Sequence, residues 1–394
     1  MFSFPYRNEL MKYLTVTALD ELTDRITCFL TAFICATLTI VIHMKSGTNI
    51  ECLTPPTYTR AWEQFAEGYC FLKDTYWYPI EKETRDSTVD YKKDFRIKYY
   101  QWICMYLMAA AVVAMFPKLV WKASENVTDM PILQFCETAA EHRKDTPDDR
   151  KKEAQKMAEL LKSKLERKPS RYSMSRIRVM TVYKFIKFLY LIISFLQFYM
   201  LGIFLGKKNM FWGYDLTMKM YNRISWKESG IFPRVTFCDF VVHEHQGHTR
   251  EETIQCFLPL NEYNEMIFIG LWFYFLIAFI LTIMGCLRTF IFFGGNYLST
   301  NLLYNIMIAV DVKNENEIND TNKFAKKYLK GDGVLVLSFV SSQSEKFTRE
   351  VAFKMWELYM GKIEPLPKEE DEDTDKDADN NDADIETGDK KRKK

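Results

Sequence analysis

Four stretches of this 394-residue chain lack Asp, Glu, Lys and Arg entirely, although these residues make up 27% of the sequence. Each stretch is close in length to the roughly twenty mostly apolar residues that a helix needs to cross a bilayer. Helices of a soluble bundle would show a polar face at the 3.6-residue period, and four such stretches together argue against that class. We therefore predict an all-α membrane protein with four spans. The stretches are 26–44, 99–117, 188–206 and 266–287.

The motifs of common enzyme classes are also missing. The sequence has no nucleotide-binding loop, no nucleophile elbow and no carboxylate constellation in a soluble fold, so we expect neither enzymatic activity nor a cofactor. Three of the five histidines lie in 243–248, at a spacing that can hold zinc. A His-Glu-x-x-His motif starting at His243 would need histidine at position 247, which is glycine. We predict no metal site and interpret this segment as an exposed loop tip, with modulation by protons or zinc as the alternative.

Two of the three loops between the spans have few basic residues. Sixteen Lys or Arg lie in 118–184, against eight in 47–98 and seven in 207–265. Because cytoplasmic loops carry the excess of basic residues, the middle loop and both termini are predicted to be cytoplasmic, and the other two loops extracellular. Neither extracellular loop contains a glycosylation sequon, whereas Asn126 and Asn319 begin sequons on the cytoplasmic side, where we expect no glycan.

Two cysteine pairs share one spacing. Cys52 and Cys70 enclose seventeen residues, as do Cys238 and Cys256, and each pair lies in one predicted extracellular loop. Outside a cell such cysteines form disulfides, and four cysteines allow three pairings. If the loops run antiparallel, Cys52 meets Cys256 and Cys70 meets Cys238, but pairs within each loop remain compatible with the spacing. The other cysteines are expected to be free thiols: Cys28, Cys35, Cys104, Cys136 and Cys286.

The segments outside the spans have patterns of their own. Loop 47–98 is rich in aromatic residues and has strand-like content. Pro147 in a first turn and an apolar stripe over 154–165 predict a helix that packs on the C-terminal domain, with calmodulin binding as the sharper alternative. A second helix is predicted over 345–360, ended by Gly361. The tail has twelve acidic residues in 369–389, predicts disorder, and ends in a basic block that can contact anionic lipid.

Several motifs occur around the predicted spans in one order along the chain. The second span begins with Tyr99-Tyr100-Gln101-Trp102. The others are Asp20-Glu21-Leu22-Thr23-Asp24-Arg25 before the first span, Phe232-Pro233-Arg234-Val235-Thr236-Phe237-Cys238-Asp239-Phe240 in loop 207–265, Gln255-Cys256-Phe257-Leu258-Pro259-Leu260-Asn261 with Asn264-Glu265 and Ile267-Phe268 at the fourth span, and Tyr328-Leu329 with Asp332-Gly333-Val334 and Leu358 after it. Together they resemble the motifs of innexins, the family that forms invertebrate gap junctions. The resemblance covers about residues 18 to 361 and is weakest in the middle loop.

The resemblance to innexins implies a large-pore channel, built as a ring of subunits that is octameric in this family and docks with the ring of an apposed cell. A wide pore fits the sequence, because the central parts of the spans lack the charged groups of transporters and no potassium-type selectivity filter is present. The resemblance implies bridges from Cys52 to Cys256 and from Cys70 to Cys238. It also implies that residues 1–6 line the pore mouth, the alternative being a helix on the membrane surface. The pore-lining candidates are Met1, Phe2, Ser3, Phe4 and Tyr6.

One departure from the family pattern follows residues 99–102. Many innexins continue with Val-Pro, where this chain has Ile103-Cys104. A proline there would remove a backbone donor and bend the helix, so the second span is predicted to be straighter near its outer face. Pro117 remains near the inner end of the span.

The fold class predicted is an all-α membrane protein with four transmembrane helices, two disulfide-stapled extracellular loops with minor β content and a helical cytoplasmic domain. The predicted function is a plasma-membrane gap-junction subunit that passes ions and small molecules, with other innexin subunits, an apposed hemichannel and membrane lipid as partners and no nucleic acid. The alternatives are an unpaired hemichannel and a four-span adhesion or scaffold protein. The predicted segments are 1–24 (cytoplasmic pore funnel), 25–45 (first span), 46–98 (extracellular loop), 99–121 (second span), 122–184 (helical cytoplasmic loop), 185–206 (third span), 207–265 (extracellular loop), 266–293 (fourth span), 294–364 (cytoplasmic domain) and 365–394 (disordered tail).

Overall fold

The computed structural model of the chain describes residues 21–45, 50–77, 92, 95–128, 130–166, 178–207, 209–222, 231–243, 249–294 and 323–361. Within these ranges the chain is mostly helical, with one small antiparallel sheet. In chain order the elements are α1 (Leu22–Lys45), β1 (Glu51–Leu53), α2 (Arg60–Lys73), β2 (Thr75–Tyr76), β3 (Arg96–Ile97), α3 (Ile103–Thr128), α4 (Ile132–Glu141), α5 (Pro147–Glu166), α6 (Val179–Phe204), α7 (Trp212–Tyr221), β4 (Val235–His243), β5 (Thr249–Phe257), α8 (Leu260–Gly294), α9 (Lys330–Gln343) and α10 (Glu345–Tyr359).

Four of these helices, α1, α3, α6 and α8, are long and apolar enough to cross a membrane, and each overlaps one uncharged stretch of the sequence. α1 packs against α3, α3 against α6, and α6 against α8. Stacked rings fill part of the space between them: Phe204 lies 4.3 Å from Tyr106 and 5.9 Å from Phe268, centroid to centroid. Large apolar side chains on other faces, such as Val112 and Ile277, are exposed, as helices that contact lipid or other subunits require.

A row of threonines on α1 faces α8. Thr23, Thr27 and Thr31 follow one another at four-residue spacing, which places them on one side of the helix. Thr27 Oγ1 lies 3.0 Å from Thr282 Oγ1, and Thr31 Oγ1 lies 2.9 Å from the hydroxyl of Tyr274. The contact between these two spans is therefore polar, and it is made through hydrogen bonds that lipid cannot replace.

The same part of α1 departs from regular α-helical geometry. Residues Ile26–Leu30 form a π-turn, in which the backbone amide of Thr31 bonds to the carbonyl of Ile26. That carbonyl also accepts the hydroxyls of Tyr274 at 3.1 Å and Thr31 at 3.2 Å. These additional bonds stabilise the π-turn. Such turns are rare and often lie at functional sites.

The sheet joins loop 47–98, called the first loop below, to loop 207–265, called the second loop. Its strand order is β1-β5-β4-β2-β3, and neighbouring strands are antiparallel throughout. β4 and β5 form a hairpin from loop 207–265, and strands from loop 47–98 lie on both sides of it. Loop 47–98 also contains α2, which the sequence analysis does not predict. Its aromatic residues Trp62, Phe65 and Tyr69 recur at three- and four-residue spacing, which fits a helix better than a strand.

The opposite end of the bundle is a helical core. There α4, α5, α9 and α10 pack together with the adjoining parts of α3 and α6. The stripe of α5 at Ala154, Met157, Ala158 and Leu161 is buried and faces α10 of the same chain, so the predicted helix and its packing on the C-terminal part are confirmed. The second predicted helix is α10, and Gly361 follows it in the left-handed conformation (φ 68°) that suits glycine.

Candidate functional site

Two disulfides close one end of the molecule, which we call the disulfide end and define as α2, β1 to β5 and residues 99–102. Cys52 pairs with Cys256 across β1 and β5, with their Cα atoms 4.0 Å apart. Cys70 of α2 pairs with Cys238 of β4, with a Cα separation of 5.8 Å. Both bridges join the first loop to the second, as the family resemblance implies. Because all four sulfurs are bonded in pairs, their closeness does not make a metal site.

A carboxylate in the second loop binds several groups of the first. Asp239 of β4 forms an ion pair with Lys92 at 2.7 Å and accepts the hydroxyls of Tyr76 at 3.1 Å and Thr253 at 2.6 Å. Burial alone would favour the neutral acid, but these bonds outweigh it and hold the pKa of Asp239 below its ordinary value. The backbone carbonyl of Asp239 accepts from Lys73 Nζ at 2.9 Å. Asp239 is therefore a polar bridge between the loops, beside the covalent ones.

A second polar bridge lies on the face of β5 that also carries the buried Ile254 and Cys256. The hydroxyl of Tyr58, which precedes α2, donates to the carboxylate of Glu252 on β5. This hydrogen bond raises the pKa of Tyr58, because the neutral phenol is the form that donates. Glu252 also forms an ion pair with Arg250 on the same strand. Tyr58 and Arg250 therefore both bind a carboxylate whose side chain is only 17% exposed.

The residues 99–102 form the floor of the disulfide end. Tyr99 is buried and its hydroxyl donates to the carbonyl of Ile231 at 3.2 Å, in the second loop. Tyr100 and Gln101 both donate to the carbonyl of Phe71, near the end of α2. The motif thus joins the start of the second span to both loops. Its fourth residue, Trp102, is 57% exposed, so a neighbouring subunit or lipid can reach it.

The motifs of the second loop and of the fourth span bind each other. The amide of Leu258 donates to the carbonyl of Arg234 at 2.8 Å, and Asn261 Nδ2 donates to the carbonyl of Pro233 at 2.7 Å. Phe232 is fully buried between Tyr99 and Phe268, with centroid distances of 5.4 and 5.8 Å. These motifs therefore fix the angle at which the hairpin leaves the membrane-spanning bundle.

Several residues singled out in the sequence have no described position. The pore-lining candidates Met1, Phe2, Ser3, Phe4 and Tyr6 lie outside the described residues, as do 244–248 and the tail from 362.

Pro117 lies inside α3, which continues through it, and Ile103-Cys104 forms the start of that helix. The role of these residues remains a prediction.

The sequence analysis missed a charged cluster at the other end of the bundle. Lys187 of α6 is 3% exposed, and its Nζ lies 2.7 Å from Asp24 and 2.9 Å from Glu21. The uncharged stretch of the third span begins after Lys187 and the predicted first span begins after Asp24, so all three groups look like ordinary flanking charges. A signal was present in the spacing: Tyr183 and Lys187 are one turn apart, so both donors reach Glu21 just before α1, and Lys187 also reaches Asp24 in its first turn.

The chain matches one known family over most of its length. A sequence profile described as Innexin matches residues 20–359. The chain belongs to the innexin family. Innexin-8 of Caenorhabditis elegans is 38% identical over 366 residues, which cover 91% of this chain and 94% of that protein. Innexin-10 of the same organism is 28% identical over 364 residues (86% of this chain, 65% of that protein), and Innexin-11 is 29% identical over 380 residues (88% and 80%).

Membership of the family gives the structural features a common meaning. Innexins are gap-junction channel subunits rather than enzymes, and the four apolar helices of this innexin fit a multi-pass membrane protein. The fold class expected from the sequence is confirmed, with four candidate spans, two bridged loops and a small antiparallel sheet. In an innexin, the disulfide end is the candidate site for contact with another ring.

Proposed function

We propose that this innexin is a subunit of a junctional channel in the plasma membrane, in which two rings from adjacent cells dock through their disulfide ends. The observation that carries the proposal is the double covalent joint between the two loops. A surface that is held in one shape before it meets its partner loses less conformational entropy on binding. The Tyr58–Glu252 and Asp239 bridges stiffen the same surface.

Sidedness follows from chemistry and charge. Disulfides persist outside the reducing cytosol, which supports an extracellular disulfide end. The basic excess of 118–184 supports a cytoplasmic position for the helices at the other end, and both termini then lie in the cytoplasm with them. The ring would contain identical subunits or a mixture of innexins, eight in number by family resemblance, with residues 1–6 at the pore mouth and lipid around the spans.

Recording junctional conductance between paired cells tests the proposal. Pairs in which both cells express the chain should show a current that pairs with one expressing cell lack. Because a ring can require a different innexin opposite it, the same recordings are made with a second innexin in the partner cell. A current across the membrane of single cells without coupling in any pair would favour an unpaired hemichannel. Neither current, with the protein at the surface, would favour an adhesion or scaffold protein.

A matched pair of variants separates docking from channel formation. Glu252→Gln keeps the shape of the side chain but removes the charge that Tyr58 and Arg250 contact on β5. Glu357→Gln, within the similarly covered Lys354–Glu357 pair of α10, is the control. We expect Glu252→Gln to lower junctional conductance more than single-cell current, whereas the control leaves the ratio unchanged. Equal loss of both currents would contradict a docking role for the hairpin.

A further inference from the structure

The third span begins at a cap that comes from a distant part of the chain. α6 starts after Arg178, whose own side chain makes no capping bond. Instead, the backbone amide of Met180 donates to Asp332 Oδ1 at 2.9 Å, and Asp332 lies in the first turn of α9. Helix N-termini leave backbone amides without partners, and an aspartate oxygen satisfies one of them. The helical end, defined as α4, α5, α9 and α10, is therefore attached directly to a membrane-spanning helix.

Two glycines flank the capping residue Asp332. A Cβ on Gly331 would lie 3.4 Å from Met180 Cε, which is a contact distance. A Cβ on Gly333 would lie only 2.6 Å from Leu329 Cδ2 and 3.2 Å from Leu165 Cδ1. Gly331 therefore lies at contact distance from α6, whereas Gly333 lets α9 pack closely on Leu165 of α5 and on the preceding Leu329.

One turn further along, Tyr183 contacts three separate elements. Its ring is edge-on to Phe339 of α9, with centroids 5.4 Å apart, and to Trp121 of α3 at 5.8 Å. Its hydroxyl donates to Glu21 Oε1 at 2.7 Å. Because the side chain is almost fully buried, it cannot turn away from one contact without losing the others.

Lys187 completes the same face of α6. It is buried and binds both Glu21 and Asp24, on either side of the start of α1. A buried ammonium is costly unless it is paired, so its position and that of the two acids are strongly linked. Met180, Tyr183 and Lys187 follow at spacings of three and four, which places the attachment of α9 and the attachment of α1 on one side of one helix.

We propose that the first turns of α6 form a joint that ties the position of α9 to that of the start of the first span, so that the helical end regulates channel opening. Asp332, Tyr183 and Lys187 are its positioning residues. When α9 moves, Asp332 pulls on the amide of Met180 and Phe339 moves against the ring of Tyr183. Because the hydroxyl of Tyr183 is bonded to Glu21, the start of the first span moves with them. The regulatory part rests on the proposed channel function; the mechanical part does not.

Hydrogen exchange on the purified full-length oligomer tests the joint without requiring current. Asp332→Ala removes the cap, and we expect the amides of residues 25–30 to exchange about fivefold faster, although Asp332 does not contact them. Asp332→Asn keeps the accepting Oδ1 and should preserve protection. Ser338→Ala, on the same helix, is the control, because its hydroxyl donates only to Leu335 of its own helix. Faster exchange confined to the residues around 180 and 332 would overturn the joint.

A milder variant approaches the joint from the other side. Tyr183→Phe keeps the ring contacts and removes only the hydroxyl, which bonds Glu21 and Thr289, so the protein should fold. Since coupling between two sites is reciprocal, it should raise exchange both in 25–30 and in the first turn of α9. Unchanged exchange in α9 would contradict the proposal even if α1 responds.

Single-channel recording tests regulation. We expect Asp332→Ala and Tyr183→Phe to change open probability about fivefold in the same direction, and Asp332→Asn to resemble the unmodified chain. If the variants exchange faster in residues 25–30 but have an unaltered open probability, the joint does not regulate the channel. Absence of any current from the unmodified chain would contradict the proposed channel function instead, while the exchange result would still stand.

Discussion

The two ends of this innexin hold distant chain segments together by opposite means. At the disulfide end, two covalent bridges and a five-stranded sheet lock the first loop to the second. At the helical end, the middle loop and the C-terminal helices are joined by apolar packing and by the ion pair of Arg150 with Glu350. Covalent bridges do not respond to conditions in an oxidising environment, whereas packing and ion pairs can rearrange.

The two ends also differ in the number of side chains that they bury. The disulfide end buries one small cluster, and four of its residues are the paired cysteines. The helical end buries a large cluster that includes Phe135, Leu161, Phe347 and Trp356 and needs no bridge. A rigid face suits docking, and a packed but adjustable face suits regulation.

Removing one disulfide should have the largest effect. Cys70→Ser with Cys238→Ser detaches α2 from β4, two elements that are not strand partners, and we expect a loss of about 4 kcal/mol in the stability of this end. Cys52→Ser with Cys256→Ser should cost less, because β1 and β5 keep their backbone pairing. Thermal unfolding of the oligomer and hydrogen exchange of α2 measure both.

The control for both pairs is Cys104→Ser, which changes a free thiol of α3. It should leave the exchange of α2 unaltered. Equal destabilisation by the two disulfide variants would contradict the distinction between a bridge within paired strands and a bridge between unpaired elements.

Removing apolar packing at the other end should have a somewhat smaller effect. Leu161 is fully buried between α5 and α10, and Leu161→Ala should cost about 3 kcal/mol in the local opening free energy. Its neighbour Leu160 is 40% exposed, so Leu160→Ala is a matched control with a small effect. Hydrogen exchange of α5 measures both. If the disulfide end also loses protection in Leu161→Ala, the two ends are not independent units.

Much of this architecture is readable in the sequence, and the readable parts share a physical origin. Uncharged stretches near twenty residues specify spans because hydrocarbon excludes charge. The helix at 147–166 is specified locally by its first-turn proline and acids and by its apolar period. The cysteine spacing narrows the disulfide pairing, and the family motifs imply the choice that the structure contains.

The features that escaped prediction depend on contacts between distant segments. α2 is hidden because its aromatic residues also have high strand propensity, and Cys238, to which its Cys70 is bonded, is far away in sequence. Nothing around Asp332 in the sequence predicts that its carboxylate accepts a hydrogen bond from the first turn of α6. Local pattern cannot specify a partner that lies more than a hundred residues away.

The ion pair of the helical end should contribute less than its core. Arg150 binds Glu350 through Nε and Nη2 at 2.7 to 3.0 Å, and both side chains are mostly covered. Arg150→Ala should cost about 1 to 2 kcal/mol, and Arg150→Lys less, since lysine cannot form the forked contact. Lys156→Ala, in the exposed pair with Glu153, is the control. Hydrogen exchange of α5 and α10 measures the stability lost in Arg150→Ala. Added salt should reduce this loss. If salt has no effect, the arginine stabilises the helices through packing of its apolar stem and not through its charge.

The smallest expected effect tests whether the adjustable part of the molecule extends into the first span. Tyr274→Phe keeps the ring but removes the hydroxyl that bonds Ile26 and Thr31 at the π-turn. Hydrogen bonds between membrane helices contribute only about 0.6 to 1 kcal/mol, so the fold should survive. Exchange should rise in 26–31 and stay unchanged in β4 and β5. Tyr199→Phe, on an exposed face of α6, is the control. If Tyr274→Phe alters neither exchange in α1 nor channel opening, the π-turn is held by packing against α8, and the adjustable region ends at Glu21.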